Sequence, residues 1–321
     1  MKRKLLFLIL LLFPVNVLAY SDKLIIPGKP VGIEIKSSGV YIVDFYKVDG
    51  EYIAKKNGFK VGDIITKVND NKINSIDDLN SIITKTGPYN ITVNRNGKIV
   101  NKTLDVIKEN NLITTGLYVK DTINGIGTLS YIDPETKIFA SLGHEVIESS
   151  TSDKFMIKDG NIYNADIISI NKSSNNDIGE LHASITNKEL GKINKNEING
   201  IYGKYTDDID NKNLVEINSY NNINLGNAFI RLDLGDELKD YQINIISLND
   251  NDSVKNIFFE ISDDRLLNKT GGVVQGMSGS PIIQDDKIIG VVNYVVVDDV
   301  KKGYGIFIEK MLEEGDKLLL S

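Results

Sequence analysis

The sequence predicts a mostly β protein that carries a small α+β unit in its N-terminal third. Short runs in which apolar and polar residues alternate recur along the 321 residues, and clusters of Gly, Asn, Asp and Pro separate them. Clear helical spacing is confined to a stretch that begins at Ser75 and to the C-terminal stretch from Glu309 to about Leu320. A chain of this length predicts two domains of roughly 100 to 200 residues each.

Composition and charge narrow the class of protein. Apolar residues make up 41% of the chain and charged residues 25%, which are globular values. The net charge is -7, and no run of Lys or Arg follows the N-terminus. Binding to a nucleic-acid backbone needs clustered positive charge, so no nucleic-acid partner is predicted.

The first 19 residues have the layout of a signal peptide. Lys2, Arg3 and Lys4 precede an apolar run from Leu5 to Val15, and Ala19 offers a small residue for cleavage. The run is short for a spanning helix, which needs about 20 residues. We expect an exported protein that is soluble after cleavage near Ala19, with an uncleaved membrane anchor as the alternative.

Cysteine and histidine usage restricts the chemistry. The chain has no Cys, which excludes a thiol nucleophile, a disulfide and zinc–thiolate sites. Its two histidines, His144 and His182, lack the close spacing of a helical metal-binding pair. No metal and no cofactor are therefore predicted.

The first domain is predicted over residues 28–108. Val31 to Ile35 and Gly39 to Phe45 alternate as strands, and Ser75 begins a helix with Asp78 in the position of a capping box. Two further strands form a hairpin around Asn94-Arg95-Asn96-Gly97.

The first domain contains the run Asn57-Gly58-Phe59-Lys60-Val61-Gly62-Asp63-Ile64-Ile65, followed by Asn69-Asp70-Asn71. In these residues the domain resembles a bacterial PDZ domain. The resemblance implies capture of peptide C-termini or internal segments by strand addition between a sheet edge and a helix. The loop that would receive a terminal carboxylate is predicted at Ser38, Gly39, Val40 and Tyr41, where the alternative is that Gly39 only makes a turn.

The second domain is predicted over residues 109–321, entered through a linker that extends to about residue 118. Predicted strands at Gly125 to Ile132 and Ile138 to Gly143 place His144 at a strand end. Strong β-patterns return at Ile257 to Ile261, Ile288 to Val297 and Tyr304 to Ile308.

A serine between glycines lies in Gly276-Met277-Ser278-Gly279-Ser280-Pro281-Ile282. Such glycines let backbone N–H groups approach a developing oxyanion, but the same residues are ordinary turn formers. The run resembles the Gly-Asp-Ser-Gly-Gly-Pro turn of chymotrypsin-like serine proteases, and this match favours Ser278 over Ser280 as the nucleophile. The backbone N–H groups of Gly276 and Ser278 would then form the oxyanion hole.

A serine nucleophile needs a base, and the base needs an orienting group. His144 follows a strand and precedes a polar loop, whereas His182 alternates within a predicted strand as a half-buried structural histidine would. Asp263 and its neighbour Asp264 follow the Ile257 to Ile261 strand, and either of them is a candidate to orient the histidine.

Much of the second domain resembles the stage IV sporulation protein B (SpoIVB) serine peptidases. The matching segments are Asp263 to Gln284, Gly143-His144, Gly125 to Leu129 with the Asp133-Pro134-Glu135-Thr136 turn, and Lys302 to Glu309. The resemblance implies a catalytic set of His144, Asp263 and Ser278. It also implies an exported endopeptidase of endospore-forming bacteria, acting between the two forespore membranes. Its partner would be a membrane-bound regulator, whose cleavage lets an intramembrane protease activate a sigma factor. Self-processing is implied as well.

Three departures from that family pattern stand out. Asp264 replaces a proline, Glu148 replaces an aspartate and Tyr294 replaces a histidine. They put the substrate fit and the choice of orienting carboxylate in question.

The order His144, Asp263, Ser278 agrees with a chymotrypsin-like double β-barrel, although in that fold the aspartate lies far upstream of the serine. The rival hypothesis is a PDZ-based peptide-binding protein with a degenerate, inactive peptidase domain. The sequence gives neither the cleavage site nor the oligomeric state.

Overall fold

The computed structural model describes residues 20–151, 153–209 and 214–320. The predicted signal segment, residues 1–19, lies outside them. Over the described residues the chain is mostly β, as predicted. No helix among these residues is long and apolar enough to cross a membrane.

Most of the chain lies in strands. In chain order they are β1 Lys23–Ile25, β2 Pro30–Phe45, β3 Ile64–Val68, β4 Asn71–Lys72, β5 Gly87–Arg95, β6 Lys98–Glu109, β7 Leu112–Thr114, β8 Leu117–Ile132, β9 Ile138–Ser141, β10 Ile147–Glu148, β11 Asp153–Lys154, β12 Ile157–Asn171, β13 Glu180–Glu197, β14 Gly200–Tyr205, β15 Leu214–Ile217, β16 Gly226–Asp233, β17 Leu238–Leu248, β18 Ile257–Ile261, β19 Pro281–Gln284, β20 Lys287–Val295 and β21 Lys302–Phe307. The helices are α1 Ile53–Lys56, α2 Ile76–Ile82, α3 Asp264–Thr270 and α4 Ile308–Asp316, with 3-10 turns at Tyr220–Asn222 and Lys317–Leu320.

Six antiparallel strands close the first barrel. Going round it, β2 pairs with β8, β8 with β9, β9 with β14, β14 with β13, β13 with β12, and β12 again with β2. Because alternate residues of a strand face opposite sides, the inward ones form one apolar core. Val31, Leu129, Phe139, Ile162 and Ile201 belong to it.

A second barrel of six antiparallel strands follows. Here β16 pairs with β17, β17 with β18, β18 with β21, β21 with β20, β20 with β19, and β19 again with β16. In β18 the alternation is complete, since Ile257, Phe259 and Ile261 are buried while the residues between them are half-buried. Two closed barrels confirm the predicted chymotrypsin-like architecture.

A third apolar cluster joins the two barrels. It combines Tyr131 of the first barrel and Val291 of the second with Met311 and Leu312 of α4. The predicted C-terminal helix thus closes the seam between the barrels, which holds them in a fixed relation.

The PDZ-like unit contains β3, β5, β6, α1 and α2 with the second half of β2. The predicted cap is present, because the Ser75 hydroxyl accepts the N–H of Asp78 at 3.1 Å. Asp63 is fully buried, and its carboxylate accepts the Arg95 guanidinium at 2.6 and 2.8 Å and the Lys60 N–H at 2.9 Å. These contacts explain why the Gly-Asp motif is followed by a hairpin that carries an arginine.

Two strands cross from this unit into the first barrel. Residues 30–36 of β2 pair with residues 122–128 of β8 inside the barrel, and residues 41–45 pair with residues 117–120 beside the PDZ-like sheet. The predicted domain boundaries stay predictions. Residues 30–36 fall within the predicted first domain, yet their pairing with β8 makes them part of the wall of the first barrel.

Candidate active site

The Ser278 turn requires both flanking glycines. Gly276 and Gly279 have φ of +98° and +95°, a region that disfavours side chains. A Cβ on Gly279 would lie 2.3 Å from the carbonyl oxygen of Thr128. Glycine at this position lets the turn approach β8 more closely than any other residue would.

Thr128, in β8 of the first barrel, holds this turn, which leads into β19 of the second barrel. Its backbone N–H donates to the Ser278 carbonyl at 2.9 Å, and its hydroxyl donates to the Gly276 carbonyl at 2.8 Å. The Gly279 N–H donates to the Val292 carbonyl at 2.7 Å. The serine therefore lies where the two barrels meet.

Two backbone N–H groups of the turn are available. Among residues 20–151, 153–209 and 214–320, the N–H groups of Gly276 and Ser278 have no protein acceptor, while their neighbours Gln275, Met277 and Gly279 all donate. This is the arrangement that an oxyanion hole needs, since its donors must be free for the substrate.

The two serines of the turn differ in surroundings. Ser280 is fully buried, and its hydroxyl donates to the Met277 carbonyl at 2.7 Å. Ser278 is half-buried, and its hydroxyl donates to the Asn293 carbonyl at 3.2 Å. Of the two, Ser278 is the one that a substrate can reach.

His144 and Ser278 contact adjacent residues of β20. Leu142 and Gly143 both have positive φ, +76° and +71°, and this tight turn places the His144 ring against the Tyr294 ring with 5.4 Å between centroids. Positive φ at a buried leucine is strained, and such strain is common at functional sites. Ser278 contacts Asn293 and His144 contacts Tyr294, so both predicted residues lie against adjacent positions of one strand.

One contact determines which His144 nitrogen carries the proton. Its Nδ1 lies 2.9 Å from the Glu145 carbonyl, which can only accept a hydrogen bond. A neutral ring therefore carries its proton on Nδ1 and leaves Nε2 free as an acceptor, the form that a general base requires. Burial lowers the pKa of His144 below its ordinary 6.5, which outweighs the opposing effects of the Glu145 carbonyl and carboxylate.

Asp263 has other partners. Its carboxylate accepts the backbone N–H of Arg265 at 2.9 Å and of Gln242 at 3.1 Å, and it pairs with the Arg265 guanidinium at 3.0 and 2.7 Å. The Arg265 hydrogen bonds hold the pKa of Asp263 at about 2 despite the opposing effect of burial. Among the described residues it makes no hydrogen bond to His144. Asp264, the other candidate, is exposed in the first turn of α3.

The predicted carboxylate loop is part of a strand. Ser38, Gly39, Val40 and Tyr41 lie within β2, where Val40 and Tyr41 are buried and pair with Ile65 and Ile64 of β3. Tyr41 also stacks on Phe155. The peptide-binding role of these four residues stays a prediction.

Two other polar residues singled out by the sequence have acidic or basic partners of their own. His182, in β13, is partly exposed and lies 3.3 Å from Glu180. The Glu148 side chain is buried and pairs with Lys120 at 3.2 Å. The described residues contain no cluster of three or more His, Cys, Asp or Glu side chains that could hold a metal ion.

Sequence reasoning missed three parts of the site. They are the contacts of Thr128 with the serine turn, the placement of Asn293 against Ser278, and the role of the Glu145 carbonyl. The residues lie far apart in the chain or act through backbone atoms, so no local pattern marks them. The sequence drew attention to Tyr294, which contacts His144, only as a residue that departs from the family pattern.

Two antiparallel barrels with a glycine-flanked serine and a neutral histidine at their junction define a chymotrypsin-like serine endopeptidase, here with a PDZ domain. The family model of the SpoIVB peptidase S55 matches residues 111–312, and that of the PDZ domain matches residues 30–107. The chain belongs to the SpoIVB peptidase S55 family.

Two of the solved structures that resemble this chain are forms of one protein. The inactive form of Rv3671c from M. tuberculosis H37Rv, a serine-to-alanine mutant, is 13% identical over 61% of this chain and 83% of its own, with a TM-score of 0.33. The active form of the Rv3671c protease is 13% identical over 60% and 73%, with a TM-score of 0.31. No curated protein matches the chain.

Proposed function

We propose that Ser278 is the nucleophile and His144 the general base of peptide-bond hydrolysis through an acyl-enzyme. His144 Nε2 takes the hydroxyl proton as Ser278 Oγ attacks the scissile carbonyl, and then returns it to the leaving amine. The N–H groups of Gly276 and Ser278 stabilise the oxyanion, where losing one such donor typically costs ~3 kcal/mol. Water and the same base then release the acyl group.

The observation that carries this proposal is that Ser278 and His144 contact adjacent residues of β20, together with the two N–H groups of the serine turn that have no acceptor among the described residues. The serine hydroxyl now donates to the Asn293 carbonyl, so it must rotate toward His144 to react. A rotation about one side-chain bond is fast relative to catalysis.

The role of Asp263 as the orienting carboxylate stays a prediction. The Glu145 carbonyl already accepts from His144 Nδ1 and can hold the tautomer without it. The hydrogen bonds of Asp263 to Arg265 and Gln242 would have to be exchanged before it could orient the imidazole.

For the biological role we propose cleavage of a membrane-bound regulator of an intramembrane protease during endospore formation, in the space between the forespore membranes, together with self-processing. Membership of the SpoIVB peptidase S55 family and the presence of a PDZ domain support this. The leader-like residues 1–19 support export, followed by release near Ala19 or by anchoring.

A fluorophosphonate probe tests the chemistry. We expect it to label the purified protein at Ser278, with no labelling of Ser278→Ala and normal labelling of the matched Ser280→Ala. Failure to label the folded wild type would support the rival hypothesis of a degenerate peptidase domain.

The regulator needs its own test. A candidate membrane-bound substrate is incubated with wild type and with Ser278→Ala side by side, and its fragments are identified by mass spectrometry. Fragments that appear with both proteins would point to a contaminating protease.

A further inference from the structure

One edge of the PDZ sheet is covered by the chain itself. Residues 117–120 at the start of β8 pair antiparallel with residues 41–45 of β2, with Val119 opposite Ile42 and Leu117 opposite Phe45. This is the geometry of an extended peptide that adds a strand to a sheet edge.

The side chains of this segment alternate as those of a bound peptide would. Leu117 is buried in the PDZ core and Val119 packs against it, alongside Leu79 of α2. Tyr118, between them, is 54% exposed. Alternate residues therefore fill the space between β2 and α2 while the others face solvent.

The segment ends beside Ser38–Tyr41, where the sequence predicts the carboxylate loop and the structure has strand β2. The Asp121 carboxylate accepts the N–H of Ile76 at 2.7 Å, and the Asp121 carbonyl oxygen lies 3.2 Å from the Ser37 hydroxyl. The segment runs toward Ser38–Tyr41, which is the direction in which a C-terminal peptide would approach those residues.

The same segment contacts the loop that follows His144, the proposed general base. Lys120 pairs with Glu148, whose side chain is only 1% exposed. Burial by itself would raise the pKa of Glu148. The hydrogen bond from the Ser150 N–H and the Lys120 ammonium outweigh this effect and lower the pKa below its ordinary value, so the carboxylate is charged. The Lys120 side chain is 38% exposed and Glu148 also accepts from Ser150, so loss of Lys120 removes the counter-charge of a buried carboxylate and would disturb the loop that begins with His144 and Glu145.

We propose that residues 117–121 are an internal ligand of the PDZ groove, and that an external C-terminal peptide with alternating apolar residues binds by displacing them. Displacement breaks the Lys120–Glu148 pair and changes the His144 loop, which couples peptide binding to Ser278 reactivity. The coupling rests on the catalytic roles proposed above for Ser278 and His144, whereas the displacement does not.

The internal ligand sets the affinity that an external peptide can reach. A covalently attached segment competes at an effective concentration on the order of millimolar. An external peptide binds only the fraction of molecules whose groove is open, so its apparent affinity falls by that fraction.

A reversible crosslink tests the displacement. Asp44 and Tyr118 are exposed and lie opposite each other across β2 and β8, and directly opposed strand residues have Cα atoms about 4.5–5.5 Å apart, which a disulfide can span. The chain has no cysteine of its own, so the variant with Asp44→Cys and Tyr118→Cys contains one defined pair. Thr92→Cys with Asn101→Cys, an opposed pair in the β5–β6 hairpin away from the groove, is the matched control.

The probe is a fluorescein-labelled peptide with the sequence of residues 115–121 and a free C-terminal carboxylate, and its binding is followed by anisotropy on the full chain. We expect binding to wild type and to the control pair in either redox state. The Asp44/Tyr118 pair should lose binding when oxidised and regain it on reduction. Equal binding by its oxidised and reduced forms, or no binding by wild type, overturns the proposal.

The rate of fluorophosphonate labelling tests the coupling. Saturating peptide should raise the wild-type rate about tenfold, within the usual range for two coupled sites. Lys120→Met should still bind the peptide but lose this response, and Lys120→Arg should keep it. A bound peptide that leaves the wild-type rate unchanged refutes the coupling. Absence of labelling in every form refutes the proposed catalytic function, while the binding data still decide the displacement.

Discussion

Replacing Asp263 by Asn separates two roles for this carboxylate. In the structure it caps α3 and pairs with Arg265, whereas the sequence predicts that it orients His144. Asn is nearly as good an N-cap as Asp, so the replacement removes the charge and keeps the cap. It is also nearly isosteric, which keeps packing losses small.

The size of the effect follows from the pKa. A carboxyl whose pKa falls from 3.8 to about 2 on folding contributes ~2.5 kcal/mol at neutral pH. The Arg265 side chain is 62% exposed, and solvent screening reduces this to about 1–1.5 kcal/mol. Because the pKa is lowered in the folded state, this stability is present above pH 3.8 and is lost as the pH falls toward 2.

Urea unfolding of wild type and Asp263→Asn measures this difference. We expect a loss of about 1–1.5 kcal/mol at pH 7 that shrinks as the pH falls below 4, with fluorophosphonate labelling retained within about tenfold. Asp264→Asn, at the exposed neighbour, is the control and should change neither quantity.

The opposite pattern would refute this reasoning. Removal of an orienting carboxylate lowers kcat by about 10⁴ in a Ser-His-Asp enzyme. A loss of that order in Asp263→Asn, with unfolding unchanged, would show that the carboxylate serves His144 as the sequence predicts.

Three further predictions concern the serine turn and the base. Burial lowers the pKa of His144, so kcat/KM should rise with pH through a midpoint below 6.5 and be lost at lower pH; a midpoint above 6.5 would contradict a desolvated base. Thr128→Val removes the hydroxyl bond to the Gly276 carbonyl and should cost about 1 kcal/mol in urea unfolding and slow labelling, whereas Thr128→Ser keeps the bond and should retain the labelling rate despite the loss of a buried methyl group. Gly279→Ala should destabilise the fold by more than 1 kcal/mol, because its Cβ meets the Thr128 carbonyl. In Gly97→Ala the added Cβ would have no neighbouring atom within 4 Å, so thermal unfolding should show only the smaller cost of a positive φ.

Local features of this protein could be predicted from its sequence. The Ser75 cap, the hairpin at Asn96-Gly97 and the β18 strand depend on residues within a few positions of one another, and the structure has all three. The choice of Ser278 over Ser280 came from a local motif, and the different burial of the two serines agrees with it.

Contacts between distant segments were decided only by the tertiary structure. Barrel closure places Thr128 against the Ser278 turn and Asn293 beside it, although these segments are far apart in the chain. The pairing of residues 117–120 with the PDZ edge, just where the predicted linker ends, has the same origin. Alternation along a strand determines which face is buried, but the neighbour that a strand pairs with depends on how the whole chain closes its sheets.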